Sequence, residues 1–303
     1  MKSTTARRVG LSVAVVTALT GLAACGTESS GNGDKAVGRS LTHANPLAAL
    51  RSAEKSTDKA ESAKVRSTTS IGDTMSMTAN GALTWGDGMK GNLTITYTGG
   101  KLAEAMRKAG TSSMEARYLP DAYYARMSEQ YARQSGGKHW IRYAYADLAK
   151  LGGGSGAYMK DQMQNTTPNQ SVKLLLASGD VKKVGEEQVS GVSATHYSGT
   201  VDVAGLAGKN SDLDAGQLAD LRKQLSQAGV STETVDIWVD GHDLLVKKVE
   251  KAQMTAGTMT STAYYSDYGV RVTAEAPPAA DTQDFKDLMK AGGAASGSGV
   301  SAS

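Results

Sequence analysis

The residues able to do chemistry are few, and their spacing argues against most of it. One cysteine, Cys25, and four histidines, His43, His139, His196 and His242, make up the thiol and imidazole inventory of the 303 residues. No histidine has a second histidine or a cysteine at metal-ligand spacing. Asp240, His242 and Asp243 are neighbours, but a short hairpin lacks the oxygen count calcium requires, so they read as turn formers. No Gly-x-Ser-x-Gly elbow is present. The glycine cluster 152–156 is followed by no Gly-Lys-Ser/Thr and reads as a plain loop, not a phosphate cradle. Serine and threonine are abundant, but no spacing singles out a triad. His196 falls on an alternating stretch, where a hydrogen-bonded or exposed role is expected. No catalytic residue, metal site or cofactor is expected.

Cys25 is the exception, because of what precedes it. Lys2, Arg7 and Arg8 lead into an uncharged run from Val9 to Thr27, whose apolar centre, Val13 to Leu19, gives way to small residues. Positive end, short apolar middle and small-residue cleavage region are the layout of a secretory signal. Gly10, Ser12, Thr17, Thr20 and Gly21 dilute the run and argue against an uncleaved transmembrane helix. The ending Leu22-Ala23-Ala24-Cys25 resembles the bacterial lipobox. That resemblance implies that residues 1–24 are removed and that Cys25 carries a thioether-linked diacylglycerol as the new N-terminus. Two buried acyl chains, at about 0.8 kcal/mol per methylene, suffice for stable attachment to a membrane. The expected location is the extracytoplasmic face of the cell membrane.

The charge balance follows from this reading. The chain has 33 basic and 30 acidic residues, a formal net charge of +3, and Lys2, Arg7 and Arg8 belong to the signal. Without them the two signs cancel, so no basic surplus remains to favour nucleic acid, and no nucleic-acid partner is expected. With a single cysteine no internal disulfide is possible. The core must rest on Leu, Val, Met and Tyr, since Phe occurs once among 12 Met and 12 Tyr. Methionine is flexible and adapts to irregular guests or gaps alike.

Residues 25–45, rich in Gly, Ser and polar side chains, are expected to form a flexible tether. Leu47, Leu50 and Ala53 have helical spacing between Pro46 and Lys59. From Lys64 the period becomes two: Met75, Met77 and Ala79 alternate with Ser76 and Thr78, and Leu93, Ile95 and Tyr97 with Thr94 and Thr96. Trp85-Gly86-Asp87-Gly88 is a hairpin turn between them. Further strands are expected over 113–118, 122–128, 140–143, 181–184, 192–203, 234–240, 244–254, 258–268 and 270–274. Helices are expected over 101–109, before Gly179, between Ser211 and Gly229, and around 284–290. This order, without a strand-helix-strand rhythm, argues for an α+β fold: a strongly curved antiparallel sheet, or half-barrel, covered by a few helices. One domain, 46–290, followed by a disordered tail, 291–303, is expected because no linker divides it.

Several segments also resemble a family. Gly191-Val192-Ser193-Ala194-Thr195-His196-Tyr197 closes on Thr200-Val201-Asp202, and after a helix comes Val235-Asp236-Ile237-Trp238-Val239-Asp240. Then Tyr265-Ser266-Asp267-Tyr268-Gly269 leads to Ala276-Pro277. The order, over roughly 46–280, is similar to actinobacterial lipoproteins of the LppX and LprG type, whose fold resembles the LolA and LolB carriers. The resemblance implies a helix-covered half-barrel that encloses an apolar cavity, and a protein that binds a lipid or glycolipid and carries or presents it. It implies no catalytic residues. The in-phase residues expected to face the cavity are Met75, Met77, Leu93, Ile95, Tyr97, Val235, Ile237 and Val239. An alternative is a non-catalytic structural or regulatory envelope lipoprotein that binds a protein partner.

Overall fold

The structure, a computed structural model, describes residues 45–148, 150, 167–204, 215–227 and 229–297. Cys25, the signal-like segment, the tether up to residue 44, the 152–156 glycine cluster and Ser211, where the helix before Gly229 is expected to begin, lie outside the described residues.

The alternating stretches form two meanders. β1 (Ser62–Ile71), β2 (Met75–Thr84), β3 (Lys90–Gly99), β4 (Ser113–Tyr118), β5 (Ala122–Arg126) and β6 (Trp140–Ala144) pair in sequence, all antiparallel. β7 (Lys182–Val189), β8 (Val192–Asp202), β9 (Thr232–Asp240), β10 (Leu245–Met254) and β11 (Gly257–Ser266) do the same. β11 pairs with β1 and joins the halves, and the short β12 (Thr282–Asp284) adds in parallel to β6. The result is a curved sheet of 12 strands, open because its end strands β12 and β7 do not meet.

Helices are α1 (Pro46–Ala60), α2 (Gly100–Lys108), α3 (Glu129–Gln134), α4 (Tyr145–Leu148), α5 (Asn169–Ser178), α6 (Ala215–Gln227) and α7 (Phe285–Gly297). α1 starts where Asn45 Oδ1 accepts from the N–H of Leu47 and Ala48, with Pro46 fixing the first turn. α5 stops at Gly179, whose φ of 71° suits glycine. Leu50 and Ala53 of α1 and Val172, Leu175 and Leu176 of α5 are fully buried against Val201, Val235, Ile237 and Leu245. Burying each such aliphatic side chain contributes about 1.5–3 kcal/mol, so this packing locks both helices to the inner face of β8–β11. The chain passes close enough here that a Cβ on Gly199 would lie 1.7 Å from the Asp180 carbonyl oxygen.

Two expectations need correction. Residues 270–274 are not a strand. Their segment crosses the outer face of the sheet, its carbonyls taken by side chains: Ser62 Oγ donates to Val270 O at 2.8 Å and Asn92 Nδ2 to Thr273 O at 2.7 Å. Arg117 Nη1 donates to Glu275 O at 3.0 Å. The periodicity there reflects a strap held by side chains, not a ladder. The helix expected around 284–290 also runs on to Gly297, into the stretch read as a tail.

Candidate ligand cleft

Between the α1/α5 core and the tyrosine-rich half of the sheet, the inner face is incompletely filled. A cleft of about 400 Å³ runs over β1, β2, β3, β9, β10 and β11 beneath α5 and α6, within the ~300–1,000 Å³ typical of small-molecule sites. Its apolar walls come from strands, with Val65, Met77, Leu93 and Ile95, and from helices, with Leu174 and Leu225. Strand alternation explains this placement, since β2 and β3 turn every second side chain inward in register, Ala79 opposite Ile95.

The expected cavity residues divide. Met77, Leu93 and Ile95 line the cleft. Tyr97 packs instead into the neighbouring cluster with Tyr123 and Tyr145, and Met75, half-buried at the start of β2, does not line it. Val235, Ile237 and Val239 point to the same side of the sheet but are correctly described as packed core: they are 0%, 0% and 5% exposed under α1 and α5. Alternation identifies their face; the helices above them fill the space.

The floor of the cleft also holds charges that sequence reading passed over. Lys248 and Glu250 on β10, Glu233 on β9 and Ser171 on α5 all line it, and Lys248 is 8% and Glu233 5% exposed. Lys248 Nζ donates to Ser171 Oγ at 2.7 Å and lies 3.2 Å from Glu250 Oε1. Ser171 Oγ also donates to Glu250 Oε1. Burial disfavours the ammonium, but the Glu250 carboxylate, with Tyr265 and Glu233 adding to it, outweighs burial and raises the Lys248 pKa above its ordinary value. Burial first, and the Glu250 charge second, push the Glu233 carboxyl up to about 8 against the pull of Lys248. Beside this group, Thr69 and Ser261 hydroxyls are 3.3 Å apart.

A serine next to a lysine invites comparison with Ser-Lys catalysis, which needs a neutral amine to take the proton. The Glu250 carboxylate beside Lys248 favours its ammonium form, which has no lone pair to take a proton. Among the described residues no group of three or more His, Cys, Asp and Glu could hold a metal ion. His196 Nε2 lies 2.8 Å from Asp236 Oδ1, and its ring stacks on Trp238 on the outer face. His242 and Leu244 donate backbone N–H to Asp240 Oδ1 at 2.8 and 2.9 Å, the turn chemistry the sequence suggests.

No family model matches the chain. Among curated proteins, the "Uncharacterized 31.2 kDa protein in rplA-rplJ intergenic region" of Streptomyces griseus is 59% identical over 85% of each chain. The "Putative lipoprotein SCO4650" of Streptomyces coelicolor is 49% identical over 97% of this chain and 100% of its own. The chain belongs to the family of these two Streptomyces proteins. Among solved structures it is similar to lipoprotein LppX of Mycobacterium tuberculosis, with 14% identity and a TM-score of 0.46 over 76% of this chain and 97% of LppX. LprF of Mycobacterium bovis gives 15% identity and a TM-score of 0.47 over 77% and 96%. The curved α+β sheet with its covering helices is the fold class expected from the sequence.

Proposed function

We propose that this protein is a lipoprotein anchored through acylated Cys25 to the extracytoplasmic face of the cell membrane. A tether over residues 25–45 holds a domain that binds an acylated hydrophobic ligand and carries or presents it. The observation that carries this reading is the cleft of about 400 Å³ with its wall of Val65, Met77, Leu93, Ile95 and Leu174. An apolar concavity left open on an inner sheet face costs hydration unless a ligand covers it. The lipobox-like ending and the lipoprotein name of the S. coelicolor relative support the anchor. No catalytic step is assigned, because reversible enclosure needs none.

The test is chemical analysis of protein purified from its own membrane. The N-terminal peptide is expected to begin at Cys25 with a diacylglycerol mass, and organic extraction of the intact protein to yield a second, non-covalent lipid. An unmodified Cys25 and an empty extract together would overturn the reading.

A further inference from the structure

The charges on the cleft floor are matched among themselves except at two points. An ammonium carries three donors; Lys248 spends two, on Ser171 Oγ and Glu250 Oε1. No third acceptor for it is present among the described residues. Glu233, 5% exposed and lining the same cleft, has no side-chain hydrogen bond among the described residues, nor an ion pair with Lys248. Both residues line the same cleft, so each has hydrogen-bonding capacity left for a molecule that enters it. Apolar side chains lie to either side: Met254 and Met259 beyond them along β10 and β11, Met77 and Ile95 across β1.

We propose that Lys248 and Glu233 form a polar seat within the cleft for the uncharged oxygen of an acyl ester, so that the ligand is a neutral acylglycerol-type amphiphile. This rests on reading the cleft as a lipid site. The chemistry follows from charge. Lys248 and Glu250 cancel one another, and Glu233, protonated at neutral pH because burial raises its pKa to about 8, adds an O–H donor without charge. The seat is therefore neutral and rich in donors. An ester carbonyl or a glyceryl hydroxyl accepts from both. A free carboxylate or a phosphate meets the Glu250 charge, and a cation meets Lys248.

The groups facing Glu233 are Lys248 and Glu250 from β10, Tyr265 from β11 and Ser171 from α5; the one described α6 residue lining the cleft is Leu225. Tyr265 and Lys248 are both raised above their usual values, so neither gives up its proton before Glu233 does. Ionisation of Glu233 removes its donor, so ester binding weakens as pH rises through about 8.

The experiment uses the full chain carrying Cys25→Ser, which removes the acyl anchor and leaves the described domain unchanged. Binding of 1-monooleoylglycerol, of oleate and of N-phenyl-1-naphthylamine, an oxygen-free apolar probe, is measured by fluorescence at pH 6.5 and 9.5. Monooleoylglycerol is expected to bind more tightly than oleate at pH 6.5. The paired substitution Lys248→Met with Glu250→Gln, which strands no carboxylate, is expected to weaken monooleoylglycerol roughly tenfold and leave the naphthylamine unchanged. Glu233→Gln keeps a donor, so it should hold the affinity at pH 6.5 and abolish the loss at pH 9.5. If the naphthylamine binds but oleate matches monooleoylglycerol, or the paired variant binds the ester as before, the seat is overturned while the cleft stands as a lipid site. If neither probe nor ester binds, both fall.

Discussion

The Lys248 ammonium on β10 donates to the Ser171 hydroxyl of α5 across 2.7 Å, inside a cleft whose other walls are apolar. This contact ties the helix above the sheet to the sheet itself, and it depends on Glu250, which accepts from both partners. Lys248→Met alone leaves the Glu250 carboxylate buried without its counter-ion. Urea unfolding is expected to show a loss of about 3–5 kcal/mol. Adding Glu250→Gln removes the stranded charge and should recover most of that loss; no recovery would mean that the lysine acts through its packing alone.

Glu233 makes stability depend on pH between mildly acidic and weakly alkaline conditions. Its folded pKa, raised from 4.5 to about 8, means that the folded state holds a proton the unfolded chain releases. Stability therefore falls as pH rises between those values, by on the order of a few kcal/mol, and is flat again above them. Glu233→Gln removes the slope, so the variant should overtake the parent near pH 8 in thermal unfolding. Parallel curves for the two proteins would contradict this.

Why the sequence revealed one wall of the cleft and hid its floor is a matter of phase. Met77, Leu93 and Ile95 alternate without interruption on β2 and β3 below the bulge near Ser76, and period two suffices to turn them inward. Val235, Ile237 and Val239 alternate equally well, but periodicity carries no information about which helix lies above a strand, and α1 and α5 fill that space. On β10 the pattern misleads. Leu245 pairs with Val239 and Lys247 with Trp238, so a bulge inserts one residue and shifts the phase. Lys248 and Glu250 thereby turn inward, although unbroken alternation from Leu245 would put Lys247 there. Glu233 carries a readable signal, since it is in phase with three buried apolar residues of its own strand. The strap over 270–278 was beyond periodicity altogether, because its bonds go to side chains over a hundred residues away.

His139 anchors the parallel edge strand. Its Nδ1 lies 2.7 Å from Asp281 Oδ1 and its Nε2 3.1 Å from Glu129 Oε2, and the same Asp281 oxygen accepts the His139 backbone N–H at 2.8 Å. Hydrogen bonding to Asp281, then to Glu129, raises the histidine above its usual 6.5, while the backbone bond from His139 lowers Asp281. The histidine's contribution is complete below about 6.5 and disappears as pH rises through its higher folded value. That of Asp281 is present above the ordinary carboxylate range and disappears in acid. Amide exchange of β12, measured against pH, should thus be slowest between the two limits, and His139→Gln should erase the alkaline limb; an unchanged limb would dissociate β12 from the histidine.

On the outer face Trp238 is held by residues paired with it in register. His196 stacks on it at 4.1 Å with 10° between planes, Lys247 Nζ sits 3.7 Å from its centroid, and its Nε1 donates to Glu187 Oε1 at 2.5 Å. Trp238→Ala is expected to cost about 3–5 kcal/mol through the cavity it leaves. Lys247→Ala should cost about 0.5–1 kcal/mol, the worth of an exposed cation–π contact. Equal losses would show that the cation and not the ring supports this face.

The most direct measurement is native mass spectrometry of the protein purified from its own membrane in mild detergent, beside a variant in which Ser67→Phe fills the cleft. The parent is expected to carry a lipid-sized mass that collisional activation releases, and the folded variant to fly without it. A bare polypeptide mass for both, or the same adduct on both, would contradict a ligand held between α5 and the sheet.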